Sequence, residues 1–381
     1  MNKDSAYIWH PFTQEKTAGE NICIVKGKGA ELWDDKGKKY IDAVSSWWVN
    51  LHGHAEPHIA AKISEQAAQL EHVIFAGFTH PKAIELSERL LQLLPGFSKV
   101  FFSDDGSTSV EVALKMAIQY HANTGKKKLK VIAFENAYHG DTFGSMSVSG
   151  RGVFTNAFEE NFFEVKFIPV PDKTAGEEYF SNFEKLTQDD SVAAFIFEPL
   201  VQAAAGMVTY DEGVLDKMIS FCHKKNIVTI ADEVFTGFGR TGKMFATDHL
   251  QNKPGIICLS KGLTGGFMPM GVTVCRPFIY DAFYSDDKTK ALYHGHSYTA
   301  NPLACAAACA SLDLFSEKTF QRISEIEKQH VEFSEKIKSN KRVKNIRTKG
   351  VILAVEIETA HSSGYFNSLR DEMYAFFIKK G

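Results

Sequence analysis

Two apolar runs of the chain end on reactive side chains. Asp232 follows "NIVTIA" and Lys261 follows "IICLS". Burying a carboxylate is costly unless a cationic or hydrogen-bonding group meets it, whereas burying a lysine lowers its pKa and makes its amine a nucleophile. Lys261 is followed by Gly262, Gly265 and Gly266, and this context suits Schiff-base chemistry.

A third run, "VFFSDD", leads into a predicted helix at Gly106, Ser107 and Thr108. Thr108 and Glu111 have the spacing of a capping box, and apolar residues follow at helical intervals. A helix N-terminus presents free N–H groups and partial positive charge, so this start predicts an anion site, for phosphate in particular. The alternative is a capped helix without a ligand.

Asp232 could instead form a salt bridge with an arginine such as Arg240, or it could bind a metal ion. No histidine lies at ligand spacing beside Asp232. The two "HGH" stretches separate their histidines by a glycine, which is weak support for a metal site. We therefore expect no metal.

A phosphate cradle, an aspartate and a lysine together indicate one cofactor, pyridoxal phosphate. Its phosphate needs the helix start, its pyridine nitrogen needs a carboxylate, and its aldehyde needs the lysine amine. Tyr138, in "FENAYHGD" after another apolar run, could stack on the cofactor ring. The alternative is a turn tyrosine whose hydroxyl faces water.

The stretch "ADEVFTGFGRTGKM" contains two glycine patterns found in nucleotide sites, GxGxxG and GxxxxGK. Met244 stands where a Walker-type loop needs Ser or Thr to hold Mg²⁺. Residues 232 to 236 separate the apolar run from the first glycine, and no clear helix start follows Gly242, unlike a dinucleotide site. We therefore expect a glycine-rich active-site loop.

The composition is that of an ordinary globular protein, with 44% hydrophobic and 23% charged residues and a net charge of −3. This balance favours neither a nucleic acid nor a membrane as a partner. The start has no apolar leader, and the six cysteines lack CxxC spacing. We expect a cytoplasmic protein with reduced thiols.

From about residue 97 to 275, apolar strands alternate with amphipathic helices. The strands show little polar alternation, which predicts an α/β fold in which helices cover a mostly parallel sheet. Near the start, "AELWDDKGKKYIDA" predicts a hairpin, and the last part of the chain predicts long helices and a strand. We expect residues 1–46 and 301–381 to form a smaller α+β domain beside a cofactor-binding domain of residues 47–300.

Five ordered stretches resemble the class III aminotransferases of fold type I, and the resemblance covers essentially the whole chain. They are "FFSDDGSTSVEVALKMA", "FENAYHGDTFGSMSVSG", "ADEVFTGFGRTGKMFATDH", "LSKGLTGGFMPMG" and "HGHSYTANPLACAAA". The resemblance implies pyridoxal phosphate as cofactor, small-molecule substrates, and a homodimer whose active sites are shared between the subunits.

The resemblance also implies individual roles. Lys261 would form the Schiff base with the cofactor, and Asp232 would bind its pyridine nitrogen. Val234 and Tyr138 would pack on opposite faces of the ring. The phosphate would be held by three residues: Gly106, Ser107 and, from the neighbouring subunit, Ser297.

"YIWHPFTQ" and "SSWWVNLHGHAEP" resemble the branch of this family that aminates 8-amino-7-oxononanoate in biotin synthesis. The resemblance implies that Trp47 and Trp48 line the acceptor pocket, with Arg240 and Gly295 beside it; the alternative is two core tryptophans. Phe12 stands where this branch often has tyrosine, so the amino donor is S-adenosylmethionine or lysine. The alternative activity is that of another class III enzyme, acting on an ω-amino acid or acetylornithine.

The last helical pattern, "LRDEMYAFFIKKG", ends at Gly381. The family continues from here into a segment with an arginine for the substrate carboxylate. Because a glycine at a helix end usually leads into a further element, we expect the chain to be a shortened form.

Overall fold

The computed structural model describes residues 3–171, 175–359 and 368–381. Its strands are, in chain order, β1 (Ile24–Lys28), β2 (Glu31–Asp34), β3 (Lys39–Ile41), β4 (Lys99–Ser103), β5 (Lys130–Phe134), β6 (Val165–Ile168), β7 (Val192–Phe197), β8 (Val201–Gln202), β9 (Val208–Thr209), β10 (Val228–Asp232), β11 (Ile256–Leu259), β12 (Gly271–Cys275), β13 (Val343–Lys349) and β14 (Ile352–Ile357).

The helices are, in chain order, α1 (Lys3–Tyr7), α2 (Ser45–Trp48), α3 (Pro57–Ala67), α4 (Pro81–Leu93), α5 (Gly106–Asn123), α6 (Phe143–Val148), α7 (Glu177–Leu186), α8 (Glu212–Lys224), α9 (Pro277–Asp281), α10 (Pro302–Asp313), α11 (Glu317–Ile337) and α12 (Ser368–Lys380). Short 3₁₀ turns span Glu159–Asn161, Ala246–His249, Lys261–Thr264 and Lys288–Lys290.

A seven-stranded sheet forms the centre of the chain, in the order β4-β12-β11-β10-β7-β5-β6. β12 pairs antiparallel with β11 and β4, and the other neighbours are parallel. Along β11, Ile257 and Leu259 belong to one core cluster and Ile256 and Cys258 to a second, so the strand is buried on both faces. The predicted α/β fold with a mostly parallel sheet is confirmed.

The strand directions bring five segments to one edge of the sheet. β5, β7, β10 and β11 are parallel, and β4 points the same way because two antiparallel pairings relate it to β11. Their carboxyl ends therefore meet at one edge, where open α/β sheets bind ligands. The strand ends and the segments that follow them carry Gly106, Tyr138, Glu198, Asp232 and Lys261.

The two ends of the chain lie against each other. β1, β2 and β3 form an antiparallel sheet whose β2–β3 turn contains Gly37, as the hairpin prediction required, and β13 pairs with β14. The ammonium of Lys38, in that turn, donates to the carbonyl of Ile378 in α12 at 2.6 Å. The domain boundaries at residues 46 and 300 stay a prediction. None of the helices described is long and apolar enough to cross a bilayer.

Candidate active site

A cavity of about 690 Å³ lies at the carboxyl edge of the sheet. Its lining combines residues from all five strand ends with their neighbours, among them Gly106, Ser107, Tyr138, His139, Glu198, Asp232, Val234 and Lys261. The structure thus brings together the anion site, the aspartate, the lysine and the tyrosine that the sequence singled out separately.

Asp232 is buried and fixed by two donors. Its Oδ2 lies 2.7 Å from Nδ1 of His139, and its Oδ1 accepts the backbone N–H of Val234 at 3.0 Å. The alternative salt bridge with Arg240 is wrong, because His139 meets the carboxylate instead. Among the described residues, no cluster of three or more His, Cys, Asp or Glu side chains is suited to a metal ion.

Lys261 follows β11 through Ser260 and has a positive φ of 41°. Its Nζ lies 4.7 Å from the ring centroid of Trp48 and 5.8 Å from that of Phe235. Burial lowers the pKa of Lys261 to about 8, although the charges of Asp232 and Glu198 oppose this shift. A neutral, nucleophilic amine is therefore accessible near pH 8.

The start of α5 faces the cavity with Gly106 and Ser107. The predicted capping box of Thr108 and Glu111 is wrong, because the helix begins earlier, with Asp105 as its N-cap. Asp105 accepts the N–H of Thr108 at 2.8 Å, and the Thr108 hydroxyl accepts the N–H of Asp105 at 3.1 Å. Glu111 instead accepts backbone N–H groups of the α6 start.

Ser107 is held against the segment before α6. Its Oγ accepts the N–H of Thr142 at 3.0 Å and lies 2.8 Å from the Thr142 hydroxyl. This approach needs a glycine at position 140, because a Cβ there would lie 2.2 Å from the Ser107 Oγ and Gly140 has a φ of 124°. The hydroxyl and the free N–H groups of the first turn make a polar pocket suited to phosphate.

Glu198 and His139 are among the cavity residues that sequence reasoning missed. Glu198 follows β7 and accepts the N–H groups of Tyr138 and Ala203, each at 3.0 Å. Burial raises the pKa of Glu198 to about 7; the positive charge of His139 opposes this shift, and Asp232 adds to it. A buried carboxylate at a strand end is the signal that marked Asp232, and it marks Glu198 equally.

A second, apolar cavity of about 380 Å³ adjoins the first and shares Trp48, Tyr138, Gly140 and Asp141 with it. Phe12 and Trp47 line it, with ring centroids 5.3 Å apart. The Tyr138 hydroxyl donates to Asp141 at 2.8 Å and so is paired within the protein. Both predicted tryptophans thus border cavities of the site.

The tryptophans lie on α2, which is a left-handed turn. Ser45, Ser46, Trp47 and Trp48 have φ values of 51°, 46°, 66° and 73°. This conformation costs an L-residue about 1–2 kcal/mol, so the neighbouring structure must hold it.

Arg240 is buried behind the tryptophans rather than in the lining of the main cavity. Its Nη2 donates to the carbonyl of Trp48 at 2.6 Å and its Nε to that of Phe235 at 2.7 Å. Burial lowers its pKa to about 10. A direct contact of Arg240 with substrate stays a prediction.

The glycine-rich loop after β10 is organised by the buried carboxylate of Glu233. It accepts the Thr236 hydroxyl at 2.7 Å and the N–H groups of Ala246 and Thr247 at 3.0 and 2.7 Å. A 3₁₀ turn, Ala246–His249, follows, so the loop does not open an α-helix as a dinucleotide site does. The hydrogen bonds that Glu233 accepts thus connect the start of the loop to its end.

Gly295 and Ser297 are exposed and lie outside the lining of both cavities. Their predicted roles therefore depend on a second subunit and stay predictions.

The residues of the main cavity fit pyridoxal phosphate. Its three functional groups need an anion site, a fixed carboxylate and an amine with a lowered pKa, and the cavity supplies all three. Asp232 is oriented by His139, whose other ring nitrogen, Nε2, is buried without a partner in the described part of the chain. The second cavity adds apolar space for a substrate beside the cofactor site.

Comparison with known proteins decides the family. The family described as class III aminotransferases matches residues 13–375. The chain belongs to the class III aminotransferases. These enzymes depend on pyridoxal phosphate, so the predicted family, fold type and cofactor are confirmed.

Several relatives of this aminotransferase carry one name. Proteins named adenosylmethionine-8-amino-7-oxononanoate aminotransferase are 45% identical in Synechococcus elongatus, over 95% of this chain and 87% of the relative, and 39% identical in Geobacter sulfurreducens, over 93% and 82%. A crystal structure with that name from Methanocaldococcus jannaschii has a TM-score of 0.88 at 38% identity, covering 93% of this chain and 83% of the other. An amine transaminase from an uncultivated Pseudomonas species, with pyridoxal phosphate bound, has a TM-score of 0.84 at 29% identity, over 92% and 84%.

Proposed function

We propose that this aminotransferase transfers an amino group to the ketone of 8-amino-7-oxononanoate and so forms 7,8-diaminononanoate for biotin synthesis. The donor is S-adenosylmethionine or lysine. The relatives' names support this acceptor. The observation that carries the proposal is the apolar second cavity, walled by Phe12, Trp47 and Phe154 beside the site of Lys261, because it suits a long aliphatic chain.

Each residue of the main cavity has a separate role in the proposed transamination. Pyridoxal phosphate supplies an aldehyde that condenses with amines and a ring that accepts electrons from the adjoining carbon. Lys261 would hold the aldehyde end, and its Nζ would take up and return the substrate proton, for which its lowered pKa suits it. Asp232 would keep a proton on the ring nitrogen, Ser107 and Gly106 would bind the phosphate, and Val234 and Tyr138 would enclose the ring.

We also propose a cytoplasmic homodimer in which Ser297 and Gly295 of each subunit complete the site of the other. Their exposure in the single chain supports this arrangement. The alternative activity, on ω-amino acids, is supported by crystal structures of ω-transaminases that are 29% identical to this chain. The relatives named for 8-amino-7-oxononanoate match at 36–45% identity.

The visible absorption spectrum tests the function. Protein loaded with pyridoxal phosphate should show a visible band, which either S-adenosylmethionine or lysine should bleach because the cofactor takes up the amino group. Adding 8-amino-7-oxononanoate should restore the band and release 7,8-diaminononanoate. A band that only ω-amino acids bleach, with no product from this acceptor, would contradict the proposal.

The matched variants are Lys261→Ala and Lys28→Ala. Lys28 is exposed on β1, so its removal should leave the spectrum and turnover unchanged. The Lys261 variant should lose both, since the nucleophilic amine is gone. If turnover survives in Lys261→Ala, the site is assigned wrongly.

A further inference from the structure

The left-handed turn α2 must be held in place by its neighbours. None of its four residues is glycine, yet all have positive φ. L-residues visit this conformation singly, and a run of four persists only where surrounding contacts determine it. The contacts that hold α2 therefore decide where its two tryptophans lie.

Asp42 binds the turn from one side. Its Oδ1 accepts the N–H of Ser46 at 2.9 Å, and its Oδ2 accepts the Ser46 hydroxyl at 2.7 Å. Nε2 of His54 lies 2.8 Å from the same Oδ2. Burial opposes ionisation of Asp42, but these bonds hold its pKa below the usual value. A charged acceptor with three donors is a strong anchor.

His54 ties this anchor to the N-terminal sheet. The Asn50 side-chain amide donates to Nδ1 of His54 at 2.8 Å, which leaves the ring proton on Nε2, facing Asp42. The backbone of His54 is bridged to Gly29 at the end of β1, with N···O distances of 2.8 and 3.2 Å. The chain of donors thus runs from Asn50 through His54 to Asp42.

On the other side, the turn meets the active site. The carbonyl of Trp48 accepts from Arg240, and the Trp48 ring packs 4.8 Å from that of Phe235. Consecutive residues of a helical turn project roughly 100° apart. One turn can therefore direct Trp48 toward Lys261 and Trp47 toward Phe12 in the second cavity.

We propose that Asp42 is a positioning residue that sets specificity for long acceptors, because it keeps α2 left-handed and so fixes Trp47 as a wall of the second cavity. This inference rests on the proposed function. Without the Asp42 carboxylate, the turn relaxes toward negative φ and Trp47 leaves its place opposite Phe12. A long acceptor loses a wall of its pocket, whereas a short one that reaches only the Lys261 side loses little.

Two acceptors measure this specificity: 8-amino-7-oxononanoate, and 3-aminobutan-2-one, which has the same amino ketone without the carboxyalkyl chain. In Asp42→Asn, we expect kcat/KM for the long acceptor to fall about tenfold, mostly through KM, with a change below about twofold for the short one. Ser46→Ala removes one of the three bonds and should lie between the wild type and Asp42→Asn. Asp35→Asn, an exposed aspartate of the neighbouring β2–β3 turn, should match the wild type.

A second readout does not depend on turnover. Quenching of Trp47 fluorescence by acrylamide, taken as the difference between each protein and its Trp47→Phe form, should increase in Asp42→Asn and Ser46→Ala. One outcome is that the wild type fails to use the long acceptor while Trp47 quenching still increases in Asp42→Asn and Ser46→Ala. In that case the proposed function is wrong, but Asp42 does anchor the turn. If Asp42→Asn unfolds, the Ser46→Ala variant tests the proposal instead. It loses the hydroxyl bond to Asp42 but keeps the bond from the backbone N–H of residue 46. Unchanged quenching, or an equal loss for both acceptors, overturns the proposal.

Discussion

At the scale of single residues, burial and nearby charges shift the pKa of Lys261 in opposite directions. Its amine is surrounded by aromatic rings, while two buried carboxylates, Asp232 and Glu198, line the same cavity. Burial dominates, so the pKa of Lys261 falls to about 8 even though both carboxylates favour its charged form. Burial thus favours the neutral form of the Lys261 amine against the effect of the two carboxylates.

Chemical labelling of Lys261 should follow this lowered pKa. Acylation requires the neutral amine. In the folded protein, the Lys261 ammonium loses its proton as the pH rises through about 8, below the ordinary lysine value of 10.5. We expect acetylation of Lys261 in the cofactor-free protein, measured by mass spectrometry of its peptide, to have its midpoint near pH 8. Lys82 is the internal control, because its bond to Glu85 raises its pKa. A shared midpoint for both lysines would contradict the prediction.

Some of these residues could be found from sequence and others could not. Asp232 ends a buried strand, and Lys261 and Glu198 lie within two residues of the end of one, so the same rule finds all three. His139 is 93 positions from Asp232. No spacing rule joins them, because their contact depends on two parallel strands of the folded sheet.

At the scale of elements, the phosphate pocket depends on β12. Gly271 starts β12 opposite Ser103, next to the turn from β4 into α5. A Cβ on Gly271 would lie 2.1 Å from the carbonyl oxygen of Asp105 and 2.6 Å from the Ser103 Oγ. Since backbone atoms block the space, any side chain here must displace the N-cap of α5.

Gly271→Ala should therefore weaken phosphate binding selectively. We expect a loss of affinity for pyridoxal phosphate of about tenfold, with little change for pyridoxal, and a stability loss of about 1–3 kcal/mol from overpacking. Titration of cofactor absorbance and urea unfolding measure the two effects. Gly19→Ala is the control, because nothing lies within 4 Å of a Cβ there. Equal losses for both cofactor forms would show that the α5 start does not bind the phosphate.

Among the elements that the sequence did not predict, β6, β12 and α2 are missed for clear physical reasons. β6 includes Lys166 and lies at the sheet edge, where β5 is its one partner among the described strands, so it lacks a fully apolar run. β12 follows directly on the loop "GGFMPM", which obscures its start. The left-handed α2 contains no glycine, and residue types alone therefore give no sign of its positive φ values.

At the scale of the whole molecule, the proposed homodimer predicts that each active site needs Lys261 of one chain and Ser297 of the other. Lys261→Ala removes the amine of a subunit's own site. Ser297→Asp places a carboxylate where the partner's phosphate would bind, so it damages the partner's site. Each variant alone should be inactive.

Mixed dimers of the two variants should regain activity. Each mixed dimer contains one site with both an intact Lys261 and an intact Ser297, so random exchange should restore about one quarter of the wild-type turnover. Refolding equal amounts of the two proteins together, followed by the spectral assay, measures this. If the mixture stays inactive while wild-type protein refolds, Ser297 does not serve the neighbouring site.

The position of β12 between β4 and β11 also sets an order of assembly during synthesis. Among the described strands, β4 pairs with β12 alone, whose Cys275 is opposite Lys99. A ribosome must therefore translate well beyond Lys261 before the first strand of the sheet finds its place, and such distant pairings are slow to close. The β4 end of the sheet, which leads into the phosphate pocket, can therefore pair only after β12 has been translated.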